Sequence, residues 1–282
     1  MTYKASRCEI LFEQSLQSEY TKRDYRLGLK YFRQFVGVEN SEELLQGNQK
    51  AIQEKVEDYL IHLKSKISPN SIGTRLAPVY LFYEMNDVIL NKTKIKKMMP
   101  RKLKVQGFNA YTRGDIATML KNTRKKRTRA IILVLASTGC RVGAIVGLHM
   151  RDIVEVSNPK CKGLKFYTGD KEEHIGFLTP EATNALYEYL QERKDKGEKI
   201  NDEKPIFTIN EDYDRFTQIS HRPITTSSIF GMVRGTLSGI KRKKDVGGRY
   251  EIQTIHGFRK YFNKTHNIKN NDSRFKKISK IF

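Results

Sequence analysis

The sequence predicts a mainly α-helical protein of two domains, with one small antiparallel β-sheet in the second domain. Three observations lead to this fold class. Apolar residues recur at helical spacing along most of the chain. Residues 151–178 lose that period and read instead as three short strands. A basic segment with a proline separates two helical stretches, and 282 residues are enough to build two cores.

The charge of the chain indicates a polyanionic partner. Lysine and arginine number 53 against 31 acidic residues, for a formal net charge of +22. Such an excess produces a strong positive potential, and nucleic acid is the first partner it predicts. An anionic membrane surface is disfavoured, because the sequence offers no long uncharged apolar run and no basic amphipathic helix with bulky anchors. A basic RNA-binding protein remains an alternative.

The cysteines indicate the compartment. Cys8, Cys140 and Cys161 lie far apart, without CxxC spacing or nearby histidine pairs. This distribution argues against disulfides and zinc and fits a reducing cytosol. Glu9 and Glu13 interrupt the N-terminal region, which is therefore not a signal peptide. We expect a cytoplasmic protein.

Four helices are predicted in the first domain, residues 1–90. Helical periodicity covers residues 7–36, where Thr21 is a plausible N-cap after a break and Gly37 ends the pattern. A third helix is expected over residues 49–66, and Pro69 opens a fourth. Their aromatic residues have helical spacing and are interpreted as core packing.

Residues 91–107 are predicted to be a basic interdomain linker. The segment contains seven lysines and arginines and no acid, and Pro100 interrupts any helix. Such a segment can lie against phosphates, whereas a solvated hinge is the alternative. The expected DNA contacts in this segment are Lys94, Lys96, Lys97, Arg101 and Lys102.

The second domain, residues 108–282, is predicted to be α+β. Thr112 can cap its first helix, and Asp115 favours the first turn of that helix electrostatically. Strands are expected at residues 153–156, 164–167 and 174–178, with a turn at Gly169-Asp170-Lys171 between the last two. Further helices are expected from Pro180, over 225–238 and over 252–263. Two basic clusters are expected to contact DNA, namely Lys125, Lys126 and Arg127, and Lys241, Arg242, Lys243 and Lys244.

One arginine interrupts the apolar stretch from Ala130 to Leu148. Arg141 follows Thr138-Gly139, and apolar residues resume directly after it. A guanidinium cannot lose its charge, and its desolvation is costly unless an anion meets it. We therefore expect either a carboxylate of this chain or an external anion such as phosphate to satisfy Arg141.

Four side chains on different predicted elements suit phosphoryl transfer. His256 and Arg259 are three residues apart and share one helix face. Together with Arg141 and Lys171 they provide guanidinium forks for non-bridging oxygens and groups that donate or accept protons. No carboxylate cluster for Mg²⁺ accompanies them, which favours electrostatic stabilisation without metal. Each residue alone is also compatible with a purely structural role.

In this order the residues resemble the tyrosine recombinase, or phage integrase, family. The matching pieces are Thr138-Gly139-Cys140-Arg141, Gly169-Asp170-Lys171 and His256-Gly257-Phe258-Arg259. Residues 111–116 resemble the start of the family's catalytic domain, and the helices before residue 90 resemble its core-binding DNA-binding domain. The resemblance covers roughly residues 7–265. The residues from His256 to Phe262 resemble archaeal or archaeal-mobile-element integrases more than bacterial ones.

The resemblance implies two domains around duplex DNA and a tyrosine that attacks the scissile phosphate. The implied products are a 3′-phosphotyrosine and a free 5′-hydroxyl, formed without metal or any other cofactor. Arg141 and Arg259 are implied to bind the phosphate, Lys171 to protonate the 5′-oxygen and His256 to assist proton transfer. Lys165 is the alternative to Lys171. The family also assembles into tetramers on DNA.

Two departures from the family pattern affect these expectations. Many members have a glutamate three residues after the first motif arginine, whereas this chain has Ala144. The family's nucleophilic tyrosine lies well beyond the last motif arginine, whereas Tyr261 is the only tyrosine after Arg259. We expect a truncated, frameshifted or split recombinase gene. The alternative is a non-catalytic, sequence-specific DNA-binding protein that regulates or competes with an intact recombinase.

Overall fold

The computed structural model contains two compact units, Met1–Val105 and Gln106–Phe282. The structure describes residues 6–103, 109–157, 160–209, 222–244 and 249–266.

Five helices make up the described part of the first unit, residues 6–103. They are α1 (Arg7–Gln14), α2 (Glu19–Val36), α3 (Gln49–Lys66), α4 (Pro69–Met85) and α5 (Lys92–Met98), with a short 3-10 turn at Ser41–Leu45. The predicted bounds of α3 and the start of α4 at Pro69 are confirmed. Gly37 ends α2 with a φ of 79°. Thr21 is not the N-cap, because α2 already begins at Glu19 after Ser18.

Most aromatic residues of α2, α3 and α4 lie in or against the core of the first unit, as predicted, whereas Tyr20 and Tyr31 are exposed. Phe32, Phe82 and Tyr83 are fully buried. Burial raises the pKa of Tyr83, whose hydroxyl donates a hydrogen bond to the Leu44 carbonyl at 3.2 Å. These rings pack edge to face across α2 and α4 and hold the helices together.

Residues 92–98 correct the predicted linker, because they form α5 of the first unit. Ile95 is fully buried, and the Lys94 ammonium lies 2.7 Å from the Glu57 carboxylate of α3. One buried isoleucine and one ion pair therefore anchor a segment whose composition indicates a linker. The helix ends before Pro100, and the boundary between the two units falls after Val105.

Six helices and three strands make up the described part of the second unit. The helices are α6 (Arg113–Lys121), α7 (Lys126–Thr138), α8 (Val142–Val146), α9 (Pro180–Asp195), α10 (Thr226–Gly235) and α11 (His256–Thr265). The strands are β1 (Ile153–Glu155), β2 (Lys162–Phe166) and β3 (His174–Phe177). They form an antiparallel sheet in the order β1-β2-β3, with Leu164 paired to Ile153 on one side and to Gly176 on the other. The small antiparallel sheet is confirmed.

Helix α7 is the centre of the second unit. Most of its apolar residues are buried, and α9, α11 and β3 pack around it. The predicted cap of α6 is present: the Thr112 hydroxyl accepts from the Asp115 amide at 3.1 Å, and the Asp115 carboxylate accepts from the Thr112 amide at 2.8 Å. The end of α7 is where the motif residues converge.

Candidate active site

Gly139 ends α7 and fixes the geometry of the site. It has a φ of 58°, and its amide donates to the Leu135 carbonyl at 3.0 Å. A Cβ at this position would lie 2.7 Å from the ring of Phe262 on α11. Glycine is therefore required twice, for the left-handed backbone and for the close approach of α11.

Arg259 reaches the same turn from α11. Its Nη1 donates to the Gly139 carbonyl at 3.0 Å. Burial, and then the positive charge of Arg141, lower the pKa of Arg259 from its ordinary value. A guanidinium stays charged in spite of such a shift. Two positive charges thus lie close enough to repel each other beside the end of α7, which suits the binding of an anion.

Arg141 is exposed, which corrects the expectation that it is desolvated between two halves of a helical core. It is the N-cap of α8, and 59% of its side chain is accessible. Gly139 ends α7 in the left-handed conformation, and the apolar residues on either side do not cover the guanidinium. Its Nη1 donates to Glu172 Oε2 at 2.9 Å, so a carboxylate of this chain does meet the charge.

The β2–β3 turn brings Lys171 to this end of α7. A Cβ on Gly176 of β3 would lie 3.0 Å from Thr138, so the strand packs directly against the last residue of the helix. Lys171 is exposed in the turn. The alternative lysine, Lys165, lies on β2 with its ammonium 3.0 Å from Glu173. The Gly169 amide and Lys165 lower the pKa of Glu173.

Tyr111 holds the beginning of α11. A Cβ on Gly257 would lie 2.5 Å from the Tyr111 ring, and the Tyr111 hydroxyl donates to the Thr254 carbonyl at 3.1 Å. Burial raises the pKa of Tyr111 to about 12. This contact fixes the first turn of α11, where His256 is exposed one turn before Arg259.

The structure thus brings Arg141 and Arg259 together and ties the Lys171 turn to them through Glu172. Sequence reasoning missed Glu172 and the Gly139 carbonyl. In the sequence, the one feature that could have indicated a role for Glu172 is its position directly after Lys171. Its pairing with a residue 31 positions earlier depends on how β3 packs against α7.

The basic residues expected to contact DNA occupy different surroundings. Those exposed are Lys94, Lys96, Lys97, Arg101, Lys102, Lys125, Lys126, Lys241, Lys243 and Lys244. Arg242 lies 4.3 Å from the centroid of the Tyr250 ring. Lys126 begins α7, so this 13-residue helix places it about 20 Å from Thr138.

Arg127 corrects the expectation of a DNA contact. It is 7% exposed, and its Nη1 donates to the carbonyls of Thr208 at 2.6 Å and Ile209 at 2.5 Å. These bonds make it part of the interior, because a buried guanidinium must be met by acceptors within the protein.

Two other classes of site are absent from the described ranges. There, no three histidine, cysteine or acidic side chains are grouped so that they could hold a metal ion. In the same ranges, no helix is both long and apolar enough to cross a membrane.

Residues 110–276 match the family model described as the phage integrase family. The chain belongs to the phage integrase family. The match covers more than half of the 282 residues and spans all four motif residues. Members of this family are tyrosine recombinases, so the resemblance seen in the sequence is confirmed. No curated protein matches the sequence.

Solved structures similar to this integrase share its fold. A lambda integrase dimer (its residues 75–356) bound to a COC′ core site has a TM-score of 0.63 at 14% identity, over 96% of this chain and 91% of that chain. The Tn1549 transposon integrase with circular intermediate DNA has a TM-score of 0.62 at 14% identity, over 98% and 92%. The XerH recombinase bound to difH has a TM-score of 0.59 at 15% identity, over 90% and 71%. The predicted fold class, mainly α with a small antiparallel sheet as in tyrosine recombinases, is confirmed.

Proposed function

We propose that this integrase binds duplex DNA and holds a backbone phosphate between Arg141 and Arg259, as a step in site-specific strand breakage and rejoining. The observation that carries the proposal is the pair of like charges at the end of α7. Arg259 Nη1 donates to the Gly139 carbonyl at 3.0 Å, two residues before Arg141, and the charge of Arg141 contributes after burial to lowering the pKa of Arg259. The two guanidiniums therefore repel each other in the free protein. A phosphodiester anion between them relieves that repulsion and accepts charge-assisted hydrogen bonds. It would act in the cytoplasm on chromosomal or mobile-element DNA.

The proposed reaction is an in-line transesterification at phosphorus without metal. A nucleophilic oxygen forms a bond to the phosphorus while the bond from phosphorus to the 5′-oxygen breaks. Lys171 donates the proton that the 5′-oxygen needs in order to leave, and His256 assists proton transfer. The contacts favour Lys171 over Lys165, because the Lys165 ammonium is engaged by Glu173 at 3.0 Å.

Charge and the similar structures support DNA as the partner. The net charge of +22 favours phosphate backbones. The lambda integrase, Tn1549 integrase and XerH structures hold DNA, and one lambda integrase structure is a tetramer on a Holliday junction. We extend both features to this chain and propose that it self-associates on DNA.

Tyr261 is not assigned as the nucleophile. Tyr261 lies on α11 two residues after Arg259 and packs against the core of the second unit. Tyr261 is therefore on the same helix as Arg259, which is proposed to bind the phosphate, and its ring is held against the protein core. The reaction is therefore best tested with a nucleophile supplied from solution.

The experiment begins with selection of preferred sites from a random duplex library. The selected duplex is then incubated with the protein and hydrogen peroxide, whose hydroperoxide anion attacks phosphorus in place of a tyrosine. We expect a strand break that leaves a 5′-hydroxyl. Arg141→Ala and Arg259→Ala should slow the break at least about 100-fold, as losing a transition-state donor does. Their DNA affinity should stay within about threefold of wild type, because many other phosphate contacts remain.

Arg151→Ala is the matched control. Arg151 is exposed and pairs with Glu203, as Arg141 pairs with Glu172, so both variants lose one charge from one exposed ion pair. An equal loss of cleavage in Arg151→Ala would show a general charge effect and contradict the proposed phosphate site. Tight, salt-dependent binding without a break in wild type would instead favour the non-catalytic DNA-binding protein.

A further inference from the structure

The proposed phosphate site depends on a guanidinium that little else holds. Arg141 is 59% exposed at the N-cap of α8. Within the described residues, its one hydrogen bond to a side chain is the bond from Nη1 to Glu172 at 2.9 Å. A long exposed side chain without a partner populates many rotamers and loses entropy when it is fixed. Arg259 differs, because burial and the Gly139 carbonyl already fix it.

The carboxylate that holds Arg141 does not come from its own helix. The position three residues after Arg141 is Ala144, which is 3% exposed and has no polar group. Glu172, from the turn between β2 and β3, reaches the guanidinium instead. The same turn contains Lys171. The ion pair between Arg141 and Glu172 therefore connects the residue proposed to bind the phosphate with the turn of the residue proposed to protonate the 5′-oxygen.

The backbone of this turn is well fixed, so Glu172 is a firm point of attachment. The Asp170 amide donates to the Tyr167 carbonyl at 2.9 Å, and the Glu173 amide donates to the Asp170 carbonyl at 3.0 Å. His174 Nδ1 lies 2.8 Å from the Glu172 carbonyl oxygen. The turn can therefore set the direction of Arg141 instead of following it.

The charges leave room for a phosphate beside Glu172. Glu172 opposes the charge of Arg141, and Glu173 of the same turn is paired with Lys165 at 3.0 Å. The positive charges of Arg259 and Lys171 then exceed the one negative charge of Asp170, so the site still attracts a phosphodiester monoanion. Only Nη1 of Arg141 is bound to Glu172. The guanidinium edge formed by Nε and Nη2 can still make a bidentate contact with two phosphate oxygens.

We propose that Glu172 is a positioning residue for the reaction. It holds Arg141 by Nη1 so that the other guanidinium edge faces the phosphate, and this ion pair joins Arg141 to the turn from which Lys171 is to meet the 5′-oxygen of the same phosphate. Glu172 takes over the support that a glutamate at position 144 would give from α8. The inference rests on the proposed function for its reaction, but the contact it describes can be tested without that reaction.

The first measurement is the rate at which phenylglyoxal, a guanidine-specific reagent, modifies Arg141 in the full chain, followed by peptide mass spectrometry. Loss of the carboxylate should release Nη1, so Glu172→Ala should speed modification at Arg141 about three- to tenfold and leave Arg259 unchanged. Glu172→Asp should restore part of the protection. Glu203→Ala, which breaks the similar exposed pair with Arg151, is the control and should leave Arg141 unchanged. Equal rates at Arg141 in wild type and Glu172→Ala would overturn the proposal.

The second measurement separates positioning from binding. On the selected duplex with hydrogen peroxide, Glu172→Ala should lower the cleavage rate at least tenfold and change DNA affinity less than threefold, and Glu172→Asp should recover part of the rate. Tighter binding with unchanged cleavage would show that Glu172 only competes with phosphate for Arg141, and would overturn the inference. If wild type does not cleave, the proposed function fails, and the phenylglyoxal rates alone decide whether Glu172 holds Arg141.

Discussion

Helix α7 has arginines at both of its ends, and the two regions differ in how the guanidinium charge is met. Near its start, Arg127 of α7 and Arg193, close to the end of α9, line the same pocket and are almost fully buried. Arg193 makes two hydrogen bonds to Glu198 and two to the carbonyls of Pro205 and Ile206. At its end, Arg141 is exposed, and Arg259 has another positive charge as a neighbour.

The difference separates arginines that stabilise the fold from arginines that are available to a ligand. A buried guanidinium is tolerated only when acceptors on the protein use its donors, and then those donors cannot serve a phosphate. An exposed guanidinium beside another positive charge, as Arg141 is beside Arg259, contributes little to the fold and gains most from an anion. Substitutions of the buried arginines near the start of α7 should therefore lower stability. Substitution of Arg141 near its end should instead affect the reaction with DNA.

The largest effect is expected for Arg193→Met. The substitution removes both guanidinium hydrogen bonds from the buried carboxylate of Glu198, which should cost about 3–5 kcal/mol in the free energy of unfolding. Urea unfolding of the full chain measures the loss. The double variant Arg193→Met with Glu198→Leu should recover much of it, because it removes both charges of the buried ion pair together. A double variant as unstable as the single one would mean that the carbonyl bonds dominate.

Arg127→Met should destabilise the second unit by about 2–3 kcal/mol, because the carbonyls of Thr208 and Ile209 lose a buried donor. Lys126→Met is the control: it removes the same charge from the neighbouring exposed position. Both variants should bind DNA alike once the folded fraction is taken into account. A selective loss of DNA affinity in Arg127→Met would restore the original expectation that Arg127 contacts DNA.

Gly139→Ala should cost about 1–3 kcal/mol, because alanine resists a φ of 58° and its Cβ would meet Phe262. Gly143→Ala, in α8, is the comparison, since a Cβ there has no heavy atom within 4 Å. Thermal unfolding should therefore distinguish two glycines only four positions apart. Equal melting temperatures would indicate that α11 can move away from the end of α7 without cost.

The smallest effect on stability is expected for Arg141→Met. Loss of one exposed ion pair is opposed by the relief of repulsion on Arg259, so the melting temperature should stay within about 2 °C of wild type. A large fall in melting temperature would show that Arg141 stabilises the fold, as Arg127 and Arg193 are expected to do. The two ends of α7 would then not differ in the role of their arginines.

Much of the fold was predictable because it depends on local patterns. Helical periodicity and capping gave α3 and the start of α6, and the change of period gave the three strands. Within the predicted linker 91–107, residues 92–98 were predicted wrongly, because their many lysines indicate an exposed surface, whereas the buried side chain of Ile95 packs the segment into the first unit. A single apolar residue hardly changes the composition of a basic segment, but its burial is enough to pack that segment against a core.

The sequence by itself determined the motif residues and their order, because Arg141, Lys171, His256 and Arg259 carry their chemistry in their side chains. Tertiary structure decided which charges lie together and which are already satisfied. The pairing of Arg141 with Glu172 and of Arg259 with the Gly139 carbonyl joins positions 31 and 120 residues apart. The burial of Arg127 was decided in the same way, because exposure depends on what the rest of the chain places over a residue.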